Sequence, residues 1–320
     1  MKTQYPNRII ITGASGYIAS ALLRRLPKES LVILISRDLS NFQTPNLSSI
    51  GFVECDLASE NPWKNILKGG ETIYHLASQT NIVLSNQDPK KDWLINVKPI
   101  HEIALVSKEL PKPVNVVFTG SVTQFGLTGK LPVDESCEDH PITMYDFHKL
   151  EGENLLKYYT SLGFIQSTTL RLANIYGPGS RSKNLNRGIL SQIICNALNG
   201  QSIKAYGGGS YIRDFVFIDD LISALLLSRE FIDALNGKHY IISSGKGVEL
   251  REIFVLVQSI LREEYGIVVE IESVSEPQNL DSINRRNFIG NSSTFSSITQ
   301  WQASTSLRNG IEQTIQYFYK

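Results

Sequence analysis

The sequence predicts an α/β fold in which a doubly wound parallel sheet carries helices on both faces and a smaller α/β C-terminal region follows. Two observations predict it. Short apolar runs rich in Ile and Val alternate with amphipathic segments over residues 8–172, which is the pattern of βαβ units. Beyond about residue 176, a glycine- and serine-rich loop at 177–183 leads into shorter strands and helices. We expect this second region to cover the carboxyl edge of the sheet, where such folds bind ligands.

The predicted strands of the first half are continuous apolar runs, as strands buried on both faces require. They comprise residues 8–12, 31–35, 52–54, 72–75, 114–118 and 167–172, with helices at 17–26, 93–109 and 145–162. The second half is predicted to contain strands at 202–205, 214–218, 239–242 and 268–271, and helices at 188–199, 219–231, 249–264 and 306–319. We therefore assign residues 1–176 to a first domain, with later returns near 214–242, and residues 177–320 mainly to a second region.

Composition and charge disfavour several classes of function. Lys and Arg (31) balance Asp and Glu (31), so no strong electrostatic field would recruit nucleic acid or anionic lipid. No apolar run approaches the roughly 18 residues of a membrane span, and the first residues lack the apolar stretch of a signal peptide. Cys55, Cys137 and Cys195 are scattered, which argues against a disulfide framework and a zinc site. We expect a cytoplasmic protein that uses no metal.

A glycine-containing loop follows the first predicted strand and opens the first helix. Gly13 permits a tight turn, Gly16 lets the backbone approach a pyrophosphate, and Ala19 stands where the pattern usually has a third glycine. The helix N-terminus offers free N–H groups and a positive dipole end to that anion. An ordinary strand–helix turn is the alternative. The position of the loop favours a Rossmann-type dinucleotide-binding domain over residues 1–176.

The end of the second predicted strand should contact the adenosine ribose of such a cofactor. An acidic residue there accepts hydrogen bonds from the 2′-hydroxyl of NAD, whereas a basic residue tolerates the 2′-phosphate of NADP. Ser36 occupies the expected carboxylate position and Arg37 follows it. These two residues favour NADP, while Asp38 keeps NAD open as the alternative.

Three side chains predict the reaction. Tyr145 and Lys149 are four residues apart on a predicted helix and hence on one face. To act as a base at neutral pH, a phenol must have its pKa lowered from about 10 to about 7, which is worth roughly 4 kcal/mol. A nearby ammonium and an oxidised nicotinamide would both stabilise the phenolate. Ser121, at the end of a predicted strand, can hydrogen-bond a substrate oxygen beside the tyrosine. Together they predict hydride transfer, with Lys149 also holding the nicotinamide ribose.

In the order and spacing of these motifs, the chain resembles the extended short-chain dehydrogenase/reductase family, in its nucleotide-sugar epimerase/dehydratase group. The matching segments run almost from end to end. They comprise residues 12–18, Asp56 with Leu57, residues 75–78, Asn96, Ser121 with Tyr145 and Lys149, residues 170–179 and residues 213–220. The resemblance implies an NAD- or NADP-dependent enzyme that acts on a nucleotide-activated sugar.

The roles of the family's residues can be carried over to the matching positions. The resemblance implies that Asp56 contacts the adenine and that Asn96 supports the helix near the active site. The predicted cofactor-binding residues are Gly13, Ser15, Gly16, Tyr17, Ile18, Ser36, Arg37, Asp56, Leu57, Leu76, Ala77, Ser78, Asn96, Tyr145, Lys149 and Leu172. The predicted catalytic residues are Ser121, Tyr145 and Lys149, and the predicted substrate-binding residues are Ser121, Asn174, Arg213 and Arg286. The two arginines would hold a diphosphate, with Arg285 as the alternative to Arg286.

Departures from the family pattern reduce the number of reactions that we expect this chain to catalyse. Dehydratases of the group usually carry Asp-Glu directly after the hydroxyl residue, whereas Val122 and Thr123 follow Ser121 here. The related decarboxylases use a glutamate in this stretch, where Gln124 is neutral. We therefore expect a 4-epimerase or a 4-keto reductase, which share the same residues. A dehydratase and a non-catalytic NADP-binding sensor are the alternatives. Pairing of the predicted helices 93–109 and 145–162 across a two-fold axis would give a homodimer.

Overall fold

The computed structural model describes residues 8–39, 47–179, 188–276 and 282–319, so the predicted loop at 177–183 lies outside the described residues from residue 180 onward. The strands are β1 Arg8–Thr12, β2 Leu31–Ser36, β3 Ser49–Glu54, β4 Thr72–His75, β5 Val114–Ser121, β6 Ile165–Leu172, β7 Asn174–Tyr176, β8 Ile203–Tyr206, β9 Ile212–Phe217, β10 Lys238–Ile242, β11 Gly247–Glu249 and β12 Ile271–Val274. The helices are α1 Tyr17–Leu23, α2 Trp63–Ile66, α3 Ile82–Gln87, α4 Pro89–Asn96, α5 Lys98–Ser107, α6 Met144–Ser161, α7 Ile189–Leu198, α8 Ile218–Glu230, α9 Ile232–Leu235, α10 Leu250–Tyr265, α11 Ser293–Thr299 and α12 Leu307–Tyr319. None of these helices is long and apolar enough to span a bilayer.

The main sheet, as far as the chain is described, has seven parallel strands in the order β3-β2-β1-β4-β5-β6-β10. The chain moves outward from β1 to β3 and then continues with β4 on the other side of β1. This reversal opens a crevice at the carboxyl ends of β1 and β4, where doubly wound sheets bind ligands. The predicted Rossmann-type fold is confirmed.

Alternate residues of β1 supply the two halves of the hydrophobic core. Ile9 and Ile11 belong to a cluster that includes Leu221 of α8, whereas Ile10 belongs to a second cluster with Ile103 of α5. All five side chains are fully buried. Because successive side chains of a strand point to opposite faces, both faces of the sheet must be covered by helices.

Two short sheets build much of the C-terminal region. In one, β9 pairs in parallel with β7 and antiparallel with β11; in the other, β8 pairs in parallel with β12. β10 belongs elsewhere, because it pairs with β6 in the main sheet, with Tyr240 opposite Leu170. The second half of the chain therefore contributes a strand to the main sheet. The boundary between residues 176 and 177 stays a prediction.

Two predicted elements differ from the structure. The predicted helix 93–109 is interrupted, because α4 ends at Asn96 and α5 begins at Lys98. Pro99 lies in the first turn of α5, and a proline inside a continuous helix would lose a hydrogen bond and clash with the preceding turn. The predicted strand 268–271 is also misplaced. Its last residue, Ile271, is the first of β12 and pairs with Ile203, whereas Val268 is 79% exposed. Burial against a neighbouring strand decides such elements more than propensity does.

Candidate active site

A cavity of about 500 Å³ lies at the carboxyl edge of the main sheet. The ends of β1, β4, β5 and β6 form one side, and α7 and the end of α12 close the other. Of the predicted site residues, the cavity is lined by Gly13, Gly16, Tyr17, Ile18, Leu76, Ser78, Ser121, Tyr145, Lys149, Leu172 and Asn174. Side chains from distant parts of the sequence thus meet at one opening.

The glycine loop packs tightly against the end of β4. Gly13 has a φ of +65°, and a Cβ atom there would lie 2.9 Å from both the Cα and the backbone nitrogen of Ala77. A Cβ atom on Gly16 would lie 2.9 Å from the carbonyl oxygen of Gly13. The hydroxyl of Thr12 accepts hydrogen bonds from the N–H groups of Leu76 and Ala77, both at 3.0 Å. Only glycine fits this approach, which leaves bare backbone facing the cavity, as a pyrophosphate site needs.

The predicted ribose contacts lie at the rim, outside the cavity lining. The hydroxyl of Ser36 donates to the carbonyl oxygen of Asp38 at 3.1 Å and lies 2.9 Å from the hydroxyl of Ser15. Ser36 is buried, whereas the side chain of Arg37 is exposed. The side chains next to the loop are therefore the hydroxyls of Ser15 and Ser36, and the exposed Asp38 follows Arg37.

The predicted adenine contacts follow β3. The carboxylate of Asp56 accepts the N–H of Ala58 at 3.0 Å, which closes a turn, and the side chain of Leu57 is buried. Neither residue lines the cavity. The structure therefore gives both a local structural role, and their predicted contact with the adenine stays a prediction.

Lys149 is buried at the bottom of the cavity. Its ammonium donates to the hydroxyl of Ser78 at 3.4 Å and lies 4.2 Å from the ring centroid of Phe118. Ser78 in turn donates to the side-chain oxygen of Asn96 at 2.7 Å. Asn96 is itself buried and does not line the cavity, so it acts on the site through Ser78. Burial lowers the pKa of Lys149 to about 7, although the nearby Asp92 opposes this.

Tyr145 lies in the first turn of α6, where Thr143 caps the helix. Burial raises the pKa of the phenol, and the charge of Asp146 raises it further. A hydrogen bond with Ser121 and the charge of Arg286 lower it, but not enough to reverse the direction. Arg286 is the cation among these main influences, and the predicted acidifying effect of Lys149 stays a prediction.

Two arginines from the C-terminal region lie next to each other, and the charge of Arg286 acts on Tyr145. Neither arginine lines the cavity. Arg213 donates to the carbonyl oxygens of Arg286 and Asn284. Burial lowers the pKa of each guanidinium to about 10, and the charge of Arg286 adds to the effect on Arg213. Arg285 is different, because it is 47% exposed and pairs with Glu276 at 3.0 Å. The structure thus separates two neighbours that the sequence left equivalent, and Arg286 is the buried one.

The sequence analysis missed the residue that holds the end of β5. The side chain of Gln124 accepts the N–H of Ser121 at 2.8 Å and donates to Glu153 at 3.1 Å. Glu153 is paired with Arg171 at 2.8 Å. The signal was present, since a serine followed three residues later by glutamine is the spacing of a capping box, and that motif forms here.

We expect Lys149→Met to make the protein more stable at pH 7, by roughly 2–5 kcal/mol, because it removes a buried ammonium. The folded pKa lies below the unfolded one, so between about pH 7 and pH 10 the unfolded chain binds more protons. The wild type therefore gains roughly 1.4 kcal/mol of stability per pH unit over this range, and the advantage of the variant should shrink. Urea unfolding at pH 7 and pH 9 measures the difference in free energy of unfolding between the variant and the wild type.

The control for this experiment is Lys64→Met, the same exchange at an exposed position of α2. Its difference from the wild type should be small at both pH values. A Lys149→Met protein that is less stable than the wild type at pH 7 would contradict the prediction. So would an advantage that is as large at pH 9 as at pH 7.

Comparison with known proteins agrees with this geometry. Residues 9–243 match the model of the NAD dependent epimerase/dehydratase family. The chain is 31% identical over 259 residues to a putative UDP-glucose 4-epimerase of Methanocaldococcus jannaschii. The aligned region covers 78% of this chain and 81% of that protein. It is 27% identical over 320 residues to a UDP-glucose 4-epimerase of Mycolicibacterium smegmatis, covering 97% and 98% of the two chains.

The fold agrees as well. The crystal structure of a UDP-glucuronic acid 4-epimerase from Bacillus cereus, in complex with UDP-glucuronic acid and NAD, superposes with a TM-score of 0.83 at 21% sequence identity. The superposition covers 97% of this chain and 98% of that one. Because the matched residues 9–243 include the glycine loop, Ser121, Tyr145 and Lys149 alike, the chain belongs to the NAD dependent epimerase/dehydratase family.

Proposed function

We propose that this protein is an NAD-dependent 4-epimerase of a nucleoside-diphosphate sugar. The observation that carries the proposal is the meeting of Ser121, Tyr145 and Lys149 in one cavity with the glycine loop. The close approach at Gly13 and Gly16 fits a dinucleotide, because a Cβ at either position would fill the cradle. The relatives named above are 4-epimerases of UDP-glucose and UDP-glucuronic acid, which favours the same class of substrate here.

The protein's own groups handle the proton in this mechanism. When bound, the nicotinamide ring supplies an acceptor and donor of hydride at the sugar carbon. Tyr145 takes the proton of the sugar C4 hydroxyl and later returns it, while Ser121 orients that oxygen. Lys149, held by Ser78, is positioned to bind the ribose hydroxyls. Epimerisation follows when the keto sugar turns over before the proton and hydride return.

Arg213 and Arg286 are suited to bind the diphosphate of the substrate. Both guanidinium groups are largely buried and carry a charge at neutral pH, since their pKa stays near 10. Within the described ranges neither arginine forms a salt bridge with a carboxylate, whereas Arg171 pairs with both Glu153 and Asp139. Asp146 acts on Arg286 electrostatically but forms no salt bridge with it. Buried cations that lack a salt-bridge partner favour an anionic ligand.

The choice between an epimerase and a 4-keto reductase is linked to the cofactor. Ser15 and Ser36 carry no charge that would repel a 2′-phosphate, and Arg37 next to them favours NADP, which suits a reductase. Asp38, whose carbonyl oxygen accepts from Ser36, keeps NAD open. The relative from Bacillus cereus is a 4-epimerase that contains NAD. We give this relationship more weight and propose NAD, retained through each catalytic cycle.

Native mass spectrometry of the purified protein tests the cofactor directly. We expect a mass increase over the 35.8 kDa chain that corresponds to one bound NAD per chain, released on denaturation. A protein that purifies without a dinucleotide and fills with added NADPH would overturn the epimerase proposal in favour of the reductase. A protein that takes up neither cofactor would contradict both.

Tyr145→Phe should abolish turnover while leaving the cofactor bound. Loss of the proton-transfer group should lower kcat by roughly 10²- to 10⁴-fold. The cofactor should stay bound because the phenyl ring keeps the packing of the site. Conversion of UDP-glucose and of UDP-glucuronic acid is followed by chromatography, and bound NAD by absorbance after denaturation. Tyr158→Phe, the same exchange at an exposed position of α6, is the control and should keep wild-type kcat. Full activity of Tyr145→Phe would contradict the mechanism.

We further propose that the protein forms a homodimer through α5 and α6. Phe147 and Tyr158 are exposed along one side of α6, and Leu162 is exposed at the C-cap that follows it, at spacings of 11 and 4 residues. Leu105 is exposed on the adjacent α5. Such spacings lie on one face of a helix. Exposed apolar residues on one face of a helix favour an interaction site, and a helix pair of this kind can meet its own copy about a two-fold axis.

Light scattering after gel filtration should give about twice the chain mass for the wild type. The double variant Phe147→Glu with Tyr158→Glu should elute as a monomer, because four carboxylates would otherwise be buried in one interface. Val268→Glu introduces a carboxylate at an exposed position outside this face and should remain dimeric. A monomeric wild type, or a double variant that stays dimeric, would rule this interface out.

A further inference from the structure

Asp92 of α4 is a buried carboxylate that the mechanism above does not use. It is 1% exposed, and each of its two oxygens has a hydrogen-bond partner. Oδ1 lies 2.5 Å from the hydroxyl of Ser85 on α3, and Oδ2 lies 2.7 Å from Nδ1 of His148 on α6. Because an ionised carboxylate only accepts hydrogen bonds, both partners donate. One buried carboxylate thus joins three helices.

The partner of this carboxylate on α6 lies next to the site. His148 directly precedes Lys149, and both side chains are buried. Asp92 and Asn96 are four residues apart on α4 and hence on one face. Asn96 accepts from Ser78 at 2.7 Å, and Ser78 accepts from the ammonium of Lys149 at 3.4 Å. One face of α4 therefore holds Lys149 through two contacts, one with the preceding residue of α6 and one with Ser78.

The short helix α3 binds the other end of the same segment of α6. Asn86 of α3 accepts the N–H of Met144 at 3.0 Å. Met144 is the first residue of α6 and directly precedes Tyr145. The N–H groups in the first turn of a helix need such partners from outside the helix. Side chains of α3 and α4 therefore fix both ends of the segment that carries Tyr145 and Lys149.

We propose that Asp92 is a positioning residue, which sets the place of Lys149 against the cofactor by binding His148. The inference rests on the proposed function, because it takes Lys149 to bind the ribose of a nicotinamide dinucleotide. Asp92 does not line the cavity and acts through the turn of α6 that it holds. If that turn shifts, the ammonium moves away from both Ser78 and the ribose. A misplacement of about 1 Å can cost roughly 10²-fold in rate.

The negative charge of Asp92 also favours the charged form of Lys149. Burial lowers the pKa of Lys149 to about 7, and the charge of Asp92 opposes this effect. The ammonium form offers three donors to hydroxyl groups. The same charge raises the pKa of Tyr145, so it does not help the phenol to lose its proton. Asp92 therefore serves Lys149 rather than Tyr145.

The chain offers matched variants for a test. Asp88 is the exposed N-cap of α4, where its carboxylate accepts the N–H of Lys91 at 3.0 Å. Asp92→Asn and Asp88→Asn make the same exchange on one helix, and asparagine caps a helix about as well as aspartate does. At position 148, asparagine keeps an N–H donor close to the place of Nδ1, whereas leucine keeps the bulk of His148 without a donor.

The first readout is the rate at which the dinucleotide leaves the loaded protein, followed by native mass spectrometry after dilution. We expect Asp92→Asn and His148→Leu each to speed release roughly tenfold, because the ammonium of Lys149 no longer reaches the ribose. The double variant should release no faster than the faster single variant, since either exchange alone already breaks the pair. His148→Asn and Asp88→Asn should release close to the wild-type rate.

Turnover of UDP-glucose and of UDP-glucuronic acid gives the second readout. Asp92→Asn should lower kcat roughly tenfold. KM for the nucleotide sugar should stay within about twofold, because the exchange leaves the groups that bind the sugar nucleotide in place. Urea unfolding of each variant excludes loss of folding as the cause, and His148→Asn should recover the kcat that His148→Leu loses.

Three outcomes would decide against the proposals. Release from Asp92→Asn as slow as from the wild type would overturn the role of Asp92, and so would equally fast release from His148→Leu and His148→Asn. A wild type that holds the dinucleotide but converts neither sugar nucleotide would overturn the epimerase proposal, and the release rates would still decide this one. A wild type that binds no nicotinamide dinucleotide would overturn both.

Discussion

Glu153, in the middle of α6, carries the buried charge on which the geometry of the site depends. Its carboxylate binds Arg171 of β6, the side chain of Gln124 beyond β5, and Lys157 one helical turn away, and it lies 3.1 Å from His239 of β10. Burial raises its pKa, but hydrogen bonds from His239 and Arg171 more than offset this, so the net pKa is well below the usual range. One carboxylate thereby joins α6 to three consecutive positions of the main sheet.

The chemistry requires this connection. Tyr145 lies in the first turn of α6 and Ser121 ends β5, so the distance between them depends on how the helix packs against the sheet. A buried ion pair contributes little net stability, because desolvation offsets the attraction, but removal of one partner costs roughly 3–5 kcal/mol. The network therefore favours one placement of the helix over others. Gln124 extends that placement to the backbone of Ser121 itself.

The protein buries several charges that the fold would be more stable without, and one of them, Lys149, lines the cavity. Lys149, Arg213, Arg286 and Asp146 are all largely buried, and none of them forms a carboxylate–cation salt bridge in the described part of the chain. The free energy gained by burying the two large apolar clusters that flank the sheet offsets the free energy lost by burying these charges. Buried charges around a cavity are typical of sites that bind and react, and stability is commonly lost where a site needs them.

Local features of the sequence determined the parts of the protein that depend on nearest neighbours. The strand 8–12, the glycine turn at Gly13 and Gly16, and the spacing of Tyr145 and Lys149 all follow from backbone sterics and helix periodicity. These act over a few residues, and the doubly wound sheet follows from their order. What the tertiary structure alone decided depends on contacts between distant segments. Tertiary packing distinguished the buried Arg286 from the exposed Arg285 and brought β10 into the main sheet. It also divided the predicted helix 93–109 into α4 and α5 and buried Asp146 beside Thr123. Burial and electrostatic coupling are properties of the packed chain, so no local pattern could have predicted them.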